Sequence, residues 1–375
     1  MINPSEFYDA LSDIGISFFT GVPDSTLKYF CSYVEDSVPP EEHVITSNEG
    51  LAVALASGYF LATGRTPLVY MQNSGFGNAL NPLISLAAEE VYSIPMLLLI
   101  GWRGEPGVKD EPQHIKQGRI QQALMNAADI PWRLVPSDMD ECREVLKQAV
   151  TVMKERNCPV ALLMRKGIFE SYKSQTLHVD TLQVTRETAI ERLVDRLGSD
   201  DIVVSTTGKT SRELFEYREE LKAGHDRDFL TVGSMGHCSH IALGIAMMKP
   251  DRRVICLDGD GAVLMHMGAL ATIGTRTPEN LRHIIINNGA HESVGGQPTV
   301  GFEIDLPAIA RANGYGLVLR AESIGEIEEA LDQILSSPGP SLLEIRVALG
   351  SRADLGRPTL TPIENRDNFM RFLQK

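Results

Sequence analysis

The stretch "CLDGDGAVLMHMGALATIGTRTPENLRHIIINNGAHES", residues 256–293, has the pattern of strand, glycine turn, helix and strand. It starts on an apolar run, turns at Gly259 and Gly261, continues with helical spacing and returns through a second apolar run to Asn288. This order is the repeating unit of a parallel sheet. Ligands of such sheets bind beyond the carboxyl ends of the strands. We therefore expect Asp260 and Asn288 at neighbouring strand ends, where a ligand would bind.

Short apolar runs separated by helical patterns recur along the whole chain, and each half contains six of them. The runs of the first half are 18–20, 43–45, 68–71, 96–100, 133–135 and 160–164. Those of the second half are 202–205, 229–231, 254–257, 283–286, 317–319 and 342–347. Most are continuous rather than alternating, which is typical of parallel strands covered by helices on both faces. The chain is predicted to be an α/β protein with two doubly wound, mainly parallel six-stranded sheets.

The polar stretch "ESYKSQTLHVDTLQVTRE" separates the two halves of the chain. It predicts a first domain over residues 1–169, a linker over 170–187 and a second domain over 188–375. The length of 375 residues agrees with a division into two domains.

Composition and charge exclude several classes of function. The formal net charge of −14 argues against nucleic acid or an anionic membrane as a partner, and an anionic substrate would need a local cluster of cations. No apolar run is long enough to span a bilayer, and the N-terminus does not have the pattern of a signal peptide. Five cysteines without a CxxC pair indicate a reduced, cytoplasmic compartment and disfavour a zinc site.

The glycine turn combines features of a phosphate site with two carboxylates. Free N–H groups at the start of the following helix favour a phosphate, whereas Asp258 and Asp260 would repel one. A divalent cation bridging the two removes the conflict. Mg²⁺ takes carboxylate, amide, carbonyl and phosphate oxygens, so Asp260 and Asn288 are candidate ligands. In the alternative interpretation, Asp260 caps a helix and the asparagines form a turn.

GDG followed at this distance by NN resembles the signature of thiamine-diphosphate enzymes. "SNEGLAVALASGYFLATGRTP" resembles the glutamate helix of their pyrimidine domain, "NSGFGNALNPL" a glycine turn, and "VGSMGHCSHIALGIAM" the segment ahead of the metal motif. "FFTGVPDSTL", "LLMRKG" and "NNGAHESVGGQPT" are similar to the compact group of phosphonopyruvate and sulfopyruvate decarboxylases. The resemblance covers nearly the whole chain in the right order. It also implies that the central third domain of the larger decarboxylases is absent.

The resemblance implies an enzyme that uses thiamine diphosphate and Mg²⁺ to decarboxylate a small anionic 2-oxo acid. The expected reaction converts phosphonopyruvate to phosphonoacetaldehyde and CO₂ in phosphonate biosynthesis. Sulfopyruvate, or the substrate of another 2-oxo acid decarboxylase of the family, is the alternative. The expected assembly is a homodimer, or a larger even assembly such as a tetramer, with active sites at the subunit interface.

The resemblance also assigns the residues that bind the cofactors. The metal ligands are Asp260, Asn288 and the backbone carbonyl of Ala290. Met235 holds the cofactor in a bent conformation, and Gly233 offers its carbonyl to the aminopyrimidine. The residues expected at the diphosphate are Thr207, Gly208, Lys209, Thr210, Gly259, Gly261 and Ala262.

Glu49 opens the Ala- and Gly-rich stretch "GLAVALASGYFLATG". A structural role is sufficient for the glutamate alone, since Asn48 caps a helix and Glu49 interacts with its dipole. The helix that follows is apolar almost all round, which indicates burial against another backbone. In the family, a glutamate here hydrogen-bonds the aminopyrimidine and starts catalysis, so Glu49 is the predicted catalytic and cofactor-binding carboxylate.

Further polar residues follow other predicted strands. Asp24, His114 and His291 are predicted to take part in catalysis. Lys209, His114, His291 and Arg165 are predicted to bind the anionic tail of the substrate. A solvated surface position is the alternative interpretation for each basic residue.

Two other classes of function are considered. A nicotinamide dehydrogenase would need G-x-G-x-x-G after a strand, but "GFGNAL" lacks the third glycine and "GDGAVL" places an acid beside the phosphate. A non-catalytic binding module would keep the metal motif without needing Glu49.

Overall fold

The computed structural model describes residues 1–175 and 182–375. Each predicted strand is present, with its ends displaced by at most two residues, and the strands form two six-stranded sheets. The first sheet contains β1 (Phe19–Gly21), β2 (His43–Ile45), β3 (Leu68–Gln72), β4 (Leu97–Trp102), β5 (Trp132–Leu134) and β6 (Val160–Arg165). The second contains β7 (Ile202–Ser205), β8 (Asp228–Leu230), β9 (Val254–Gly259), β10 (Leu281–Asn287), β11 (Val318–Ala321) and β12 (Ser341–Arg346).

Helices connect the strands in both halves of the chain. Those of the first half are α1 (Pro4–Asp13), α2 (Lys28–Ser37), α3 (Glu49–Thr63), α4 (Phe76–Pro82), α5 (Pro112–Ala127) and α6 (Met139–Arg156). Those of the second half are α7 (Arg186–Val194), α8 (Lys209–Glu220), α9 (Cys238–Met248), α10 (Asp260–Met265), α11 (Ala269–Arg276), α12 (Leu306–Ala312), α13 (Ile324–Ser336) and α14 (Pro362–Leu373). Two short turns of 3₁₀- and π-helix, Asn73–Gly75 and Leu83–Ala87, flank α4.

The two sheets share one strand order. The first runs β2-β1-β3-β4-β6-β5, and the second, taken from its opposite edge, runs β8-β7-β9-β10-β12-β11. All the pairs are parallel. The order reverses between β1 and β3 and again between β7 and β9, which are the positions where doubly wound sheets bind ligands. The predicted fold class is confirmed.

Each sheet is covered by apolar residues on both faces. Along β4, Leu97 and Leu99 join one buried cluster, whereas Leu98 joins the cluster on the opposite face. Ile284 and Ile285 on β10 divide between two clusters in the same way. Since successive side chains of a strand point to opposite faces, burial on both sides explains why the runs are continuously apolar.

The chain groups into two compact units. One comprises Met1–His178 with Ser293–Gln297, and the other comprises Val179–Glu292 with Pro298–Lys375. The middle of the predicted linker, residues 176–181, lies outside the described residues. The domain boundaries given above remain a prediction. No helix within residues 1–175 and 182–375 is long and apolar enough to cross a membrane.

Candidate active site

The parallel register of the second sheet brings an acid and an amide together. Gly259 on β9 lies opposite Ile286 on β10, so the chain leaves both strands at neighbouring positions. Asp260 follows β9 directly, and its side chain is buried. The backbone N–H of Asn288 is directed at the Asp260 carboxylate, and burial raises the pKa of this group to about 6. The expected proximity of Asp260 and Asn288 is therefore observed.

The two asparagines have different surroundings. Asn287 is fully buried and donates to the carbonyl of Gly301 at 2.8 Å and to Glu344 Oε1 at 2.7 Å. Asn288 donates to Glu292 Oε2 at 2.8 Å, and its Oδ1 accepts a longer bond of 3.2 Å from the N–H of Ala290. Asn287 thus holds the turn in place, and Asn288 keeps an amide oxygen with one weak partner.

The chemistry of these groups would suit a hard divalent cation. The Asp260 carboxylate, the Asn288 amide oxygen and the carbonyl of Ala290 would supply one charged and two neutral oxygen ligands. Such a set leaves positive charge on the ion for an anionic ligand to balance. The hydroxyl of Thr299 donates to Asp260 Oδ2, a contact that the sequence analysis missed although Thr299 ends the quoted stretch "NNGAHESVGGQPT".

Gly261 in the glycine turn is closely packed against two side chains. A Cβ on Gly261 would lie 3.2 Å from Met235 Cε and 3.4 Å from the imidazole of His291. Met235, Gly261 and His291 therefore converge on one point beside Asp260. Ala262 follows as a buried residue of α10, and Gly233 lies in the loop after β8.

The turn after β7 presents the start of α8. Gly208 is the N-cap of this helix and Lys209 is its first residue, so the first N–H groups of α8 have no partner within the helix. Thr207 Oγ1 donates to the carbonyl of Val232 at 2.9 Å, and Thr210 is buried. Lys209 Nζ forms an ion pair with Glu292 Oε1 at 2.7 Å.

Glu49 lies at the start of α3 in the first unit. Asn48 caps the helix by accepting a hydrogen bond from the N–H of Gly50 at 2.8 Å. The Glu49 carboxyl is buried, and Asn78 Nδ2 donates to its Oε2 at 2.8 Å. A Cβ on Gly75 would overlap Glu49 Oε1, so only glycine permits this position. Burial raises the pKa of Glu49, although the Asn78 bond opposes the shift.

Asp24 lies three residues after the end of β1 and is fully buried. It accepts hydrogen bonds from Gln72 Nε2 at 2.6 Å and from the N–H of Thr26 at 2.9 Å. Burial raises the pKa of Asp24 despite these donors. Arg103, which follows β4, was not predicted: its guanidinium forms an ion pair with Asp110 and donates to Ser25 Oγ at 2.8 Å. The sequence did contain a signal for Arg103, because a charged residue directly follows the apolar run "LLLIGW".

The two predicted site histidines are uncharged at neutral pH. Burial lowers the pKa of His114 to about 4, and the nearby Arg103 adds to the effect. Burial likewise lowers the pKa of His291 to about 4. Both imidazoles can therefore act as neutral donors or acceptors rather than as cations. Arg165 is 53% exposed at its side chain and forms an ion pair with Glu105.

A second group of potential metal ligands lies in the core of the second unit. Cys238 and Cys256 have their Sγ atoms 3.6 Å apart, and Asp258 is close to both. Burial raises the pKa of each thiol, so both sulfurs are protonated. Neutral thiols are poor metal ligands, and Cys238 donates to the carbonyl of Val204 instead. We therefore assign no metal to this group.

The predicted site residues thus fall into one set in each unit. The second unit brings together Asp260, Asn288, Met235, Gly261 and His291, with Lys209 joined to Asn288 through Glu292. The set of the first unit is Glu49, Asp24, His114 and Arg165. The former set would suit a cation together with an anion bound at the first N–H groups of α8. The latter set contains buried carboxyls that hold protons more readily than exposed ones.

Family models match both halves of the chain. The model described as "Thiamine pyrophosphate enzyme, N-terminal TPP binding domain" matches residues 5–128. The model described as "Thiamine pyrophosphate enzyme, C-terminal TPP binding domain" matches residues 206–345. The second range contains the turn after β7, Asp260 and Asn288.

Several proteins similar to this chain over most of its length are named decarboxylases. The chain is 37% identical to the phosphonopyruvate decarboxylase of Streptomyces viridochromogenes over 388 aligned positions, which cover 100% of this chain and 95% of the relative. The phosphonopyruvate decarboxylase of Streptomyces hygroscopicus is also 37% identical, with coverage of 99% and 94%. The sulfopyruvate decarboxylase of Methanosarcina acetivorans is 28% identical, with coverage of 88% and 87%. The family resemblance predicted from the sequence is confirmed.

The pKa of Asp260 leads to a prediction about metal affinity. A proton and a cation compete for the same carboxylate, so lowering the pH through about 6 should weaken binding, by about tenfold per pH unit below the pKa. Above about pH 7 the contribution of this group should be constant. Mn²⁺ titrations with thiamine diphosphate, followed by electron paramagnetic resonance between pH 8 and 5, measure the slope.

Asp260→Asn is the matched control, because an amide does not titrate in this range. The variant should bind Mn²⁺ weakly and show only the pH slope that comes from the diphosphate itself. Equal slopes in both proteins would contradict the assignment of Asp260 as a ligand.

Proposed function

We propose that this chain, which belongs to the thiamine-diphosphate enzyme family, decarboxylates phosphonopyruvate to phosphonoacetaldehyde and CO₂ with thiamine diphosphate and Mg²⁺ as cofactors. The observation that carries the proposal is the adjacent placement of Asp260 and Asn288 in a chain that matches both halves of the family. We assign residues 1–169 to pyrimidine binding and 188–375 to diphosphate and Mg²⁺ binding, joined by the linker 170–187. The pathway we assign is phosphonate biosynthesis.

The residues of the second unit would hold both cofactors. Bound thiamine diphosphate supplies an electron sink for the carbanion that remains when a 2-oxo acid loses CO₂. Asp260, Asn288 and the carbonyl of Ala290 would bind Mg²⁺, and the N–H groups at the start of α8 would receive the diphosphate. Met235, packed beside Gly261, would support the cofactor from its apolar side.

Glu49 would exchange a proton with the aminopyrimidine. Burial favours the protonated carboxyl, and the hydrogen bond from Asn78 to Oε2 leaves the carboxyl able to bond a ligand as well. A group whose pKa is raised toward neutrality is better suited to proton exchange at pH 7 than an exposed glutamate. Asp24 would assist as a second buried acid.

The anionic tail of the substrate would be bound by a few donors. Lys209 keeps two further N–H groups besides the one given to Glu292, because an ammonium has three. His114 and His291 would contribute as neutral hydrogen-bond donors, and Arg165 would add a cation after releasing Glu105. A sulfonate would satisfy the same donors, so sulfopyruvate is the second candidate. The lower identity to the Methanosarcina sulfopyruvate decarboxylase favours the phosphonate.

We further propose that the protein is a homodimer, or a tetramer built from such dimers, with active sites at subunit interfaces. Helix α3 leaves an apolar stripe uncovered: Leu51 is 55%, Leu55 37% and Leu61 70% exposed. Gly58 on the same helix has open space around it. Large apolar side chains exposed together on one side of a helix are typical of an interface. The free, buried cysteines are compatible with the cytoplasm, where we place the protein.

The proposal predicts a strong preference for the phosphonate. Purified protein with thiamine diphosphate and Mg²⁺ should release CO₂ from phosphonopyruvate faster than from sulfopyruvate, and far faster than from pyruvate, which has no tail to bind. Turnover numbers and KM values for the three acids measure this. A higher kcat/KM for sulfopyruvate would support the second candidate, and a preference for pyruvate would refute both.

Glu49→Gln is expected to separate binding from catalysis. The amide keeps the shape and one hydrogen bond but does not exchange the proton, so cofactor should still bind while turnover falls by at least about 10²-fold. Glu141→Gln, at an exposed position in the first turn of α6, is the matched control and should retain full activity. Wild-type turnover in Glu49→Gln would show that Glu49 has only a structural role.

Leu55→Glu should weaken the dimer. A charge in the middle of the α3 stripe would have to be buried without a partner, which costs several kcal/mol. Sedimentation velocity should show monomers at micromolar concentration, with activity lost in parallel. Ile363→Glu, at an apolar position on α14 that is 63% exposed, is the control and should stay assembled. A wild-type protein that is fully active as a monomer would refute the proposed assembly.

A further inference from the structure

Glu292 connects the candidate metal ligand with the turn after β7. Its Oε2 accepts hydrogen bonds from Asn288 Nδ2 at 2.8 Å and from an Arg186 guanidinium nitrogen at 2.7 Å. Its Oε1 accepts from Lys209 Nζ at 2.7 Å. One largely buried carboxylate, 13% exposed, therefore joins three elements that are separated along the chain.

The chemistry of the carboxylate determines which end of Asn288 faces it. A side-chain amide has a donor end and an acceptor end of almost the same shape. An ionised carboxylate only accepts, so the NH₂ group of Asn288 must point toward Glu292 and the Oδ1 atom away from it. A metal requires this oxygen, and an amide turned by 180° would present two N–H groups to the cation instead.

Glu292 is itself held in place by charge. Arg186 is 7% exposed and donates to both oxygens of Glu213, at 2.6 and 2.7 Å, while a further nitrogen reaches Glu292. Lys209 approaches from the opposite oxygen. With donors on both oxygens, the Glu292 carboxylate has little freedom to rotate, and Asn288 is oriented by a fixed partner.

We propose that Glu292 is a positioning residue that keeps Asn288 Oδ1 available to the metal and couples it to Lys209 at the diphosphate turn. This inference rests on the Mg²⁺ site of the proposed function. It assigns Lys209 a role in orienting the metal ligand besides any contact with the substrate. Arg186, the first residue of α7, takes part by holding the Glu292 carboxylate in place.

The test compares metal binding by full-length variants. Glu292→Gln should weaken Mn²⁺ binding in the presence of thiamine diphosphate by about 10–100-fold, the range for residues that orient metal ligands. Glu187→Gln is the matched control, because Glu187 lies next to Arg186 on α7 and, like Glu292, pairs with an arginine, in this case Arg352. Its Mn²⁺ affinity should equal that of the wild type. The free Mn²⁺ signal in electron paramagnetic resonance gives both dissociation constants without an activity assay.

Excess metal separates positioning from loss of the fold. If Glu292→Gln only misorients Asn288, saturating Mn²⁺ should restore full stoichiometric binding of thiamine diphosphate. A defect that persists at saturating Mn²⁺ would overturn the inference, as would wild-type Mn²⁺ affinity in Glu292→Gln.

A double variant provides a second test if the single variant folds poorly. In Glu292→Gln with Asn288→Asp, the new amide can donate to the new carboxylate, which still presents an oxygen to the metal. This exchange of donor and acceptor should bind Mn²⁺ more tightly than Glu292→Gln alone. Equal or weaker binding by the double variant would overturn the inference.

The wild type and Asp260→Asn test the metal site independently of Glu292. If the wild type does not bind Mn²⁺ with thiamine diphosphate, or Asp260→Asn binds it equally well, the proposed function fails. If those two proteins behave as expected and Glu292→Gln matches the wild type, only the role of Glu292 is refuted.

Discussion

The parallel hydrogen-bonded register between β9 and β10 is the constraint on which the candidate site depends. With Gly259 opposite Ile286, the next residues of both strands leave the sheet side by side. Asp260 and Asn288 then share one polar region, which Thr299 and Asn287 complete through hydrogen bonds. In an antiparallel pair the two strand ends would lie at opposite edges, and the acid and the amide would be separated.

Burial sets the charge state of the groups at these strand ends. The pKa of Asp260 rises to about 6, and burial raises the pKa of Glu49 as well. The pKa values of His114 and His291 move to about 4, so neither imidazole is charged at neutral pH. The fixed positive charge therefore resides on arginine and lysine side chains. Because Lys209 already pairs with Glu292, binding an anion there involves sharing this cation.

The two sheets have the same strand order but carry different chemistry at the ends of equivalent strands. β1 is followed by the buried acid Asp24, whereas β7 is followed by the turn that starts α8 at Lys209. β3 leads into a glycine turn against the Glu49 carboxyl, whereas β9 leads into Asp260. The topology fixes where functional residues can lie, and the residues in the loops determine what each unit can bind.

The sequence by itself determined the strands, their parallel arrangement and the placement of an acid and an amide after neighbouring strands. Continuous apolar runs and glycine turns are local signals, so each predicted strand and the proximity of Asp260 to Asn288 could be read without a structure. The capping role of Asn48 was readable in the same way, since it depends on neighbours along the chain. Family resemblance supplied the role proposed for Glu49, which its position at a helix start does not distinguish from a structural one.

Only the tertiary structure decided the partners and the protonation of these groups. The contact of Thr299 with Asp260, the pairing of Lys209 with Glu292 and the ion pair of Arg103 with Asp110 depend on how loops fold over the strand ends. The neutral state of His291 depends on its burial, which no short sequence pattern encodes. Local patterns determine where the backbone goes, whereas hydrogen-bond partners and pKa values depend on residues that the fold brings together from distant parts of the chain.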